Sequence, residues 1–155
     1  MIFRGRSPVR RTSSGVVFAI SDDERRLIGH LLEEFRAEVD DDPDQPDLRR
    51  LFPTAYPDDP MSDAAYQLLA RSGLRAAQDA ACAAVERTLW ATTLDDDELS
   101  AWMTTVNRFR LVLGTRLDVA EGDHDVDPDE PHVELKVVYH YLSSLLSLLV
   151  EAAEP

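Results

Sequence analysis

The segment between Asp95 and Leu117 constrains the fold more than any other part of the sequence. Three consecutive acidic residues, 95–97, can cap the start of a helix, and their charge suits the positive end of the helix dipole. After them, apolar residues recur at steps of three or four, the spacing of one helical face. These residues are Leu99, Trp102, Val106, Phe109, Leu113 and Leu117. We therefore predict a long central helix that turns this face toward the core.

Helix signals recur along the rest of the chain. Ser21 and Glu24 have the spacing of a capping box, which predicts a helix that runs to about Val39, where acidic residues and a proline follow. Further helices are predicted over 62–71, 74–92 and 132–153, the first two separated by a break at Ser72-Gly73. The sequence thus predicts a mainly α-helical, single-domain bundle of about five helices.

The first 20 residues are predicted to form a short basic β-hairpin, or arm. Ile2-Phe3 and Val16–Ile20 have the composition of strands, and a polar loop separates them. Residues 1–14 contain no acidic residue and carry four arginines, Arg4, Arg6, Arg10 and Arg11. We interpret these arginines as solvated; the alternative is a clamp on an anionic partner or on the acidic body of the protein.

Two irregular segments connect the predicted helices. Residues 43–60 are rich in proline but also contain the apolar anchors Leu48, Leu51, Phe52 and Tyr56, which predicts a packed connector rather than a flexible linker. Residues 121–131 are predicted to form an acidic loop. No change in composition marks a domain boundary, so residues 1–155 are predicted to form one domain.

The charge balance excludes several classes of partner. The formal net charge of −14 disfavours direct binding to nucleic acid or to an anionic membrane surface, because like charges repel. The most apolar stretch, Val137–Val150, is interrupted by polar residues and is shorter than a membrane span, so we interpret it as a buried helix. The N-terminal apolar run is too short for a signal peptide. We therefore expect a cytoplasmic protein without a membrane anchor.

The single cysteine, Cys82, excludes an intramolecular disulfide. Small apolar neighbours on a predicted helix favour a buried, unreactive thiol, and a redox-active thiol is the alternative.

No catalytic or metal-binding motif is present. The sequence lacks a glycine-rich phosphate loop, a nucleophile elbow and a His-Glu-x-x-His pattern, so we predict no enzyme activity and no cofactor. His132 and His140 lie about two helical turns apart but lack identifiable supporting ligands. Residues 123–134 partly match a calcium loop, but Pro128 stands where that loop requires glycine, so we predict no metal site.

The central helix is locally basic. It carries Arg108, Arg110 and Arg116 without an acidic residue between Ser100 and Leu117. We expect these arginines to pair with Asp58 and Asp59 as an internal ion-pair latch, since guanidinium groups fork onto carboxylates. The alternative is a partner-binding site or a pocket for an anionic metabolite.

Three segments resemble a small actinobacterial family long catalogued as a domain of unknown function. They are Leu51-Phe52-Pro53-Thr54-Ala55-Tyr56-Pro57-Asp58-Asp59-Pro60, the run from Trp102 to Leu117, and Val138-Tyr139-His140-Tyr141-Leu142. The family includes the actinomycete oxidative stress regulator, and its genes tend to lie beside that of the Clp protease adaptor. The resemblance implies a mostly helical regulatory protein that acts on the transcription or proteolysis machinery. A mechanism that requires two cysteines does not carry over to this chain.

The positions that match the family are possible interaction residues or a fold signature. They are Tyr56, Asp58, Asp59, Trp102, Asn107, Arg108, Arg110, Gly114 and Arg116. We expect a regulatory or adaptor protein of the stress response that acts through protein contacts. The alternatives are an enzyme or small-ligand protein that binds an anionic metabolite through the Asp58/Asp59 and arginine charges, and a homodimer built on Val137–Val150.

Overall fold

The computed structural model describes residues 5–41, 54–117, 129 and 131–155. Within these residues the element order is β1 (Val9–Thr12), β2 (Gly15–Phe18), α1 (Asp22–Asp41), α2 (Pro60–Arg87), β3 (Thr93–Leu94), α3 (Asp96–Arg116) and α4 (Val133–Ala153). The predicted mainly helical fold with a short N-terminal hairpin is confirmed.

Two helices begin at the capping boxes that their sequences predict. At α1, the Ser21 hydroxyl accepts from the Glu24 amide at 3.2 Å, and the Glu24 carboxylate accepts from the Ser21 amide at 2.6 Å. At α3, Asp95 and Glu98 make the same reciprocal pair, both at 2.8 Å. Each box satisfies amides at a helix start that have no partner inside the helix.

The predicted break at Ser72-Gly73 is wrong, because α2 is continuous from Pro60 to Arg87. A glycine inside a helix costs only about 1 kcal/mol relative to alanine, which the packing of α2 on α3 offsets. The helix ends at Arg87 rather than near residue 92, and the Thr88 amide closes its last turn on the Ala84 carbonyl at 3.1 Å.

The sheet is antiparallel, in the order β1-β2-β3. Val9 pairs with Phe18, and Thr12 pairs with Gly15 across a tight turn in which Gly15 takes a φ of +128°. The second predicted strand is confirmed, but its partner is Val9–Thr12, which the prediction assigned to a loop. Val9 is the one buried residue of this strand, and Arg10, Arg11 and Thr12 are partly or fully exposed, so its sequence carries no alternating apolar pattern that would predict a strand. Ile2-Phe3 lies outside the described residues.

The central position of α3 is confirmed. It packs against both α2 and α4, and its Trp102 is fully buried. The Trp102 ring lies 4.6 Å from that of Phe18, and its indole N–H donates to the Thr88 hydroxyl at 2.8 Å. One side chain on α3 thus joins the sheet to the end of α2.

A buried arginine that the sequence analysis did not single out holds the sheet to α1. Arg25 is 5% exposed, and its guanidinium donates to the carbonyls of Leu89 at 2.6 Å, Ala91 at 2.9 Å and Phe18 at 3.1 Å. The guanidinium also lies 5.3 Å from the centre of the Phe18 ring. These contacts fix the segment between α2 and β3.

The predicted connector 43–60 and the predicted acidic loop 121–131 lie largely outside the described residues. Of the connector, residues 54–60 are described and exposed, and they include Tyr56, which was predicted as a packed anchor and is 49% exposed.

Candidate functional site

The residues predicted to form one latch are distributed over four places. Trp102 belongs to the core, and Asn107 and Arg108 line a groove beside α4. Arg110 donates to the Asn107 side-chain oxygen at 3.2 Å. Arg116 lines a separate cleft between α1, α3 and the start of α4.

The acidic half of the predicted latch caps α2 instead. Asp59 accepts from the Ser62 hydroxyl at 2.6 Å and from the Ser62 amide at 3.2 Å, and these hydrogen bonds lower the pKa of Asp59. Tyr56 is 49% exposed and packs edge-on against Tyr66. Asp58 lies exposed in the turn before the helix. The expected pairing of Arg108 with Asp58 and Asp59 is therefore wrong, since Arg108 pairs with Asp79.

Arg108 is almost completely buried, with an exposed fraction of 3%. Its guanidinium carbon lies 4.0 Å from the centre of the Phe35 ring on α1. Its Nη1 lies 3.4 Å from the Cys82 sulfur and 3.8 Å from the Asp79 carboxylate, both on α2. Its Nε has no hydrogen-bond partner among the described residues. Arg108 thus links three helices while one of its donors is unused.

The electrostatics of Arg108 follow from its surroundings. Burial lowers the pKa of its guanidinium, and the neighbouring Cys82 and Asp79 partly offset that shift. A buried cation is costly unless an anion and hydrogen bonds compensate it. Asp79 compensates weakly, because its side chain is 59% exposed and its oxygen is beyond hydrogen-bond distance.

Cys82 is half-buried rather than fully enclosed, and it contacts polar groups. Besides Arg108, the Thr105 hydroxyl points at its sulfur from 3.9 Å. We call these side chains, Cys82, Thr105 and Arg108, the thiol site. The small apolar neighbours of Cys82 in the sequence did not indicate these polar contacts. Thr105 and Asp79 were not predicted as site residues, although Thr105 and Arg108, like Asp79 and Cys82, are three residues apart and share a helical face.

A groove runs between α3 and α4. The described residues that line it are Gln78, Met103, Thr104, Asn107, Arg108, Leu111, Leu146 and Val150, around a volume of about 500 Å³. We call it the α3/α4 groove. None of these residues is acidic, in a protein with a net charge of −14.

Two valines of α4 are exposed, and because they are 13 residues apart they point to sides of the helix about 140° from each other. Leu142, Leu145 and Leu149 lie in the core, whereas Val137 and Val150 are 53% and 45% exposed. The helix is long and apolar enough, by length and composition, to cross a membrane, with a mean hydropathy of 1.3 over its most apolar stretch. Core helices of globular proteins meet the same criteria, so this is weak evidence for a membrane span.

Of the four N-terminal arginines, the structure gives Arg11 a defined partner set. Its Nε donates to the Ala152 carbonyl at 2.9 Å, and its Nη1 contacts the Asp96 carboxylate at 2.6 Å. This contact fits the alternative in which the arm clamps the acidic body of the protein. It joins β1 to the end of α4 and the start of α3.

Among the described residues, no group of three His, Cys, Asp or Glu side chains is arranged to hold a metal ion. Three of the acidic residues of the partial calcium-loop match lie outside the described part of the chain.

The sequence matches a known protein family. Residues 6–153 match the model of a family described as domain of unknown function, DUF2017. The chain belongs to this family. The match spans the hairpin and all four described helices, so the thiol site and the α3/α4 groove both lie within the DUF2017 domain. No curated protein and no solved structure matches the sequence.

Proposed function

We propose that this DUF2017 protein is a cytoplasmic regulatory or adaptor protein of the stress response, which acts by binding another protein at the α3/α4 groove. The observation that carries the proposal is the α3/α4 groove itself, which apolar and polar side chains line together and whose lining contains no acidic residue among the described residues.

The groove has the character of a protein-binding surface. Four of its eight lining residues are apolar, Met103 and Leu111 on α3 and Leu146 and Val150 on α4. Polar groups such as Asn107 lie at the same surface, where they can orient a partner. An amphipathic segment that inserts apolar side chains between two helices is a common occupant of such a groove.

Charge favours binding at this place over the rest of the surface. The protein as a whole repels acidic partners, but the residues that line the groove contribute no negative charge. An acidic partner segment therefore meets less repulsion here than at the acidic parts of the surface.

The resemblance to the actinomycete oxidative stress regulator supports the regulatory part of the proposal. The same resemblance suggests that the partner belongs to the transcription or proteolysis machinery.

The test is to introduce one charge into the groove and one beside it. Val150→Glu places a carboxylate in the groove, whereas Ser147→Glu places one on the same helix at an exposed position outside the groove lining. Affinity capture with wild-type protein identifies the partner, and each variant is then titrated against that purified partner. We expect Val150→Glu to weaken binding by about tenfold or more and Ser147→Glu to have little effect. Equal binding by both variants would exclude the groove.

A homodimer is the second candidate, because Val137 and Val150 are exposed on the same helix. Light scattering of the purified protein distinguishes it. A dimer that Val150→Glu converts to a folded monomer would make the second copy the occupant of the groove. Leu145 and Leu149 do not serve this test, because both are core residues and their replacement by Asp would unfold the protein.

A further inference from the structure

Arg108 gives the α3/α4 groove a preference for one kind of occupant. We propose that the partner segment places an aspartate or glutamate side chain against Arg108, with apolar side chains on either side of that acid. The inference rests on the proposed function, because it specifies the chemistry of the partner that binds in the same groove.

The first observation is an unused hydrogen-bond donor in the wall of the groove. Arg108 is 3% exposed and is one of the residues that line the groove. Its Nε is buried and has no hydrogen-bond partner among the described residues. A buried donor without an acceptor costs free energy, and a bound group that accepts from it removes that cost. The groove therefore favours an occupant that supplies an acceptor at this point.

The second observation is the incomplete compensation of the Arg108 charge. The nearest contact of its Nη1 is the Cys82 sulfur at 3.4 Å, and a thiol is a weak acceptor. The Asp79 carboxylate lies 3.8 Å from the same nitrogen, on a side chain that is 59% exposed. Among the described residues that line the groove, Arg108 is the one charged residue. A carboxylate therefore fits this position better than a neutral acceptor, because hydrogen bonds between two charged groups are the stronger ones.

Gln78, on α2, provides a second polar group at the groove. The residue is partly exposed, and its buried amide oxygen has no hydrogen-bond partner among the described residues. Because the Nε of Arg108 is covered, a carboxylate reaches it only after a side chain of the wall turns. Gln78 gives up no hydrogen bond from its amide oxygen when it turns, and its NH₂ group can then donate to the same carboxylate.

The apolar side chains of the groove favour a peptide segment over a small anion. Met103 and Leu111 on α3, with Leu146 and Val150 on α4, contribute this apolar surface. A small anion at Arg108 would leave the surface in contact with water, whereas a segment with apolar side chains beside its acid buries it. The expected occupant is therefore an amphipathic segment with one acidic residue between apolar residues.

Peptide selection tests this chemistry before the natural partner is known. A phage-displayed library of random peptides is selected on wild-type protein. Peptides that lose binding to Val150→Glu but still bind Ser147→Glu are retained as groove-dependent. We expect these peptides to share an aspartate or glutamate between apolar residues. A chain with a net charge of −14 attracts basic peptides non-specifically, so an acidic consensus distinguishes the groove from the rest of the surface.

A selected acidic peptide and its copy with the matching amide in place of the acid then measure the contribution of Arg108. We expect wild-type protein to bind the acidic peptide about tenfold or more tightly than the amide peptide, and Arg108→Met to bind the two equally. Arg110→Met is the matched control, since Arg110 lies on the same helix but is not among the lining residues. The preference for the acidic peptide should persist in that variant.

Asp79→Asn keeps the test informative if Arg108→Met does not fold. The Asp79 carboxylate is largely exposed and competes with the peptide for Arg108. Its removal should tighten binding of the acidic peptide several-fold and leave binding of the amide peptide unchanged. Asp23→Asn removes an exposed charge at the start of α1, and it should leave the affinity of both peptides as in wild type.

The outcomes separate this inference from the proposed function. Groove-dependent peptides without an acidic consensus would overturn the inference alone. So would equal binding of the two peptides by wild type, an unchanged preference in Arg108→Met, or no gain for the acidic peptide in Asp79→Asn. The absence of any groove-dependent peptide would overturn the proposed function as well. A dimer that Val150→Glu dissociates would then identify a second copy of the chain as the occupant.

Discussion

Arg25 and Arg108 are two buried arginines with opposite surroundings. Both are at most 5% exposed, and both lie against the ring of a phenylalanine. Arg25 donates to three backbone carbonyls within 3.1 Å. Arg108 contacts a thiol and a more distant carboxylate, and its own Nε has no hydrogen-bond partner among the described residues. Burial alone therefore does not define a structural arginine. The two arginines differ in how many of their hydrogen-bond donors are used. Arg25 holds the sheet to α1 through three carbonyls, whereas Arg108 keeps a donor without a partner among the described residues.

The largest expected loss of stability comes from Arg25→Met. The substitution leaves one buried and two partly buried carbonyls without this donor, so we expect the free energy of unfolding to fall by about 3–5 kcal/mol. Urea denaturation measures it, and Arg26→Met on the exposed side of α1 is the control, with an expected change of about 0.5 kcal/mol or less. A loss below about 1 kcal/mol for Arg25→Met would show that solvent replaces these hydrogen bonds and would remove the contrast with Arg108.

Phe35→Leu measures how much the ring of Phe35 stabilises the buried Arg108. The loss of the ring removes both apolar packing and the cation–π contact at 4.0 Å, and we expect a cost of about 2 kcal/mol. The same substitution in an Arg108→Met background should cost about 1 kcal/mol less, because no cation remains above the ring. Equal costs in the two backgrounds would mean that the ring contributes packing alone.

Arg11 tests whether burial or partner number sets the cost of losing an arginine. It contacts Asp96 and the Ala152 carbonyl, but its side chain is 36% exposed. We expect Arg11→Met to lower the free energy of unfolding by only about 1 kcal/mol, because solvent replaces the lost partners. The neighbouring Arg10→Met is the control. A cost as large as that of Arg25→Met would show that partner number dominates over burial.

The smallest change in stability at neutral pH is expected for Tyr141→Phe. Tyr141 lies beside Glu24, at the start of α1. Burial, with a further contribution from the Glu24 charge, raises the pKa of Tyr141. A raised pKa in the folded state means that this contribution to stability is complete below the unfolded pKa of about 10 and is lost as pH rises above it. Urea midpoints of wild type and Tyr141→Phe should therefore agree at neutral pH and diverge above about pH 10, with the variant the more stable. Parallel midpoints across this range would contradict the buried, neutral tyrosine.

The helix starts could be predicted from the sequence because capping is local. Ser21 with Glu24, and Asp95 as the cap of α3, are recognised from residues within one turn. The break at Ser72-Gly73 was predicted from the same kind of signal and is wrong, because the cost of one helical glycine is small beside the packing of α2.

The candidate sites could be predicted only in part. Arg108 and Cys82 were both identified as notable residues, but 26 positions separate them, and no local pattern indicates that they touch. The same holds for Arg25, whose carbonyl partners Leu89 and Ala91 lie in the segment between α2 and β3. Contacts of this kind depend on how helices pack, which the spacing of apolar residues leaves undetermined.

The most direct test of the contrast is the free energy of unfolding of Arg108→Met, measured beside wild type and Arg25→Met under reducing conditions. Because the charge of Arg108 is poorly compensated, we expect its replacement by an apolar side chain of similar length to change stability by about 1 kcal/mol or less in either direction. Arg25→Met should lose several times more. Equal, large losses for both variants would contradict the account, since Arg108 would then be a structural residue like Arg25.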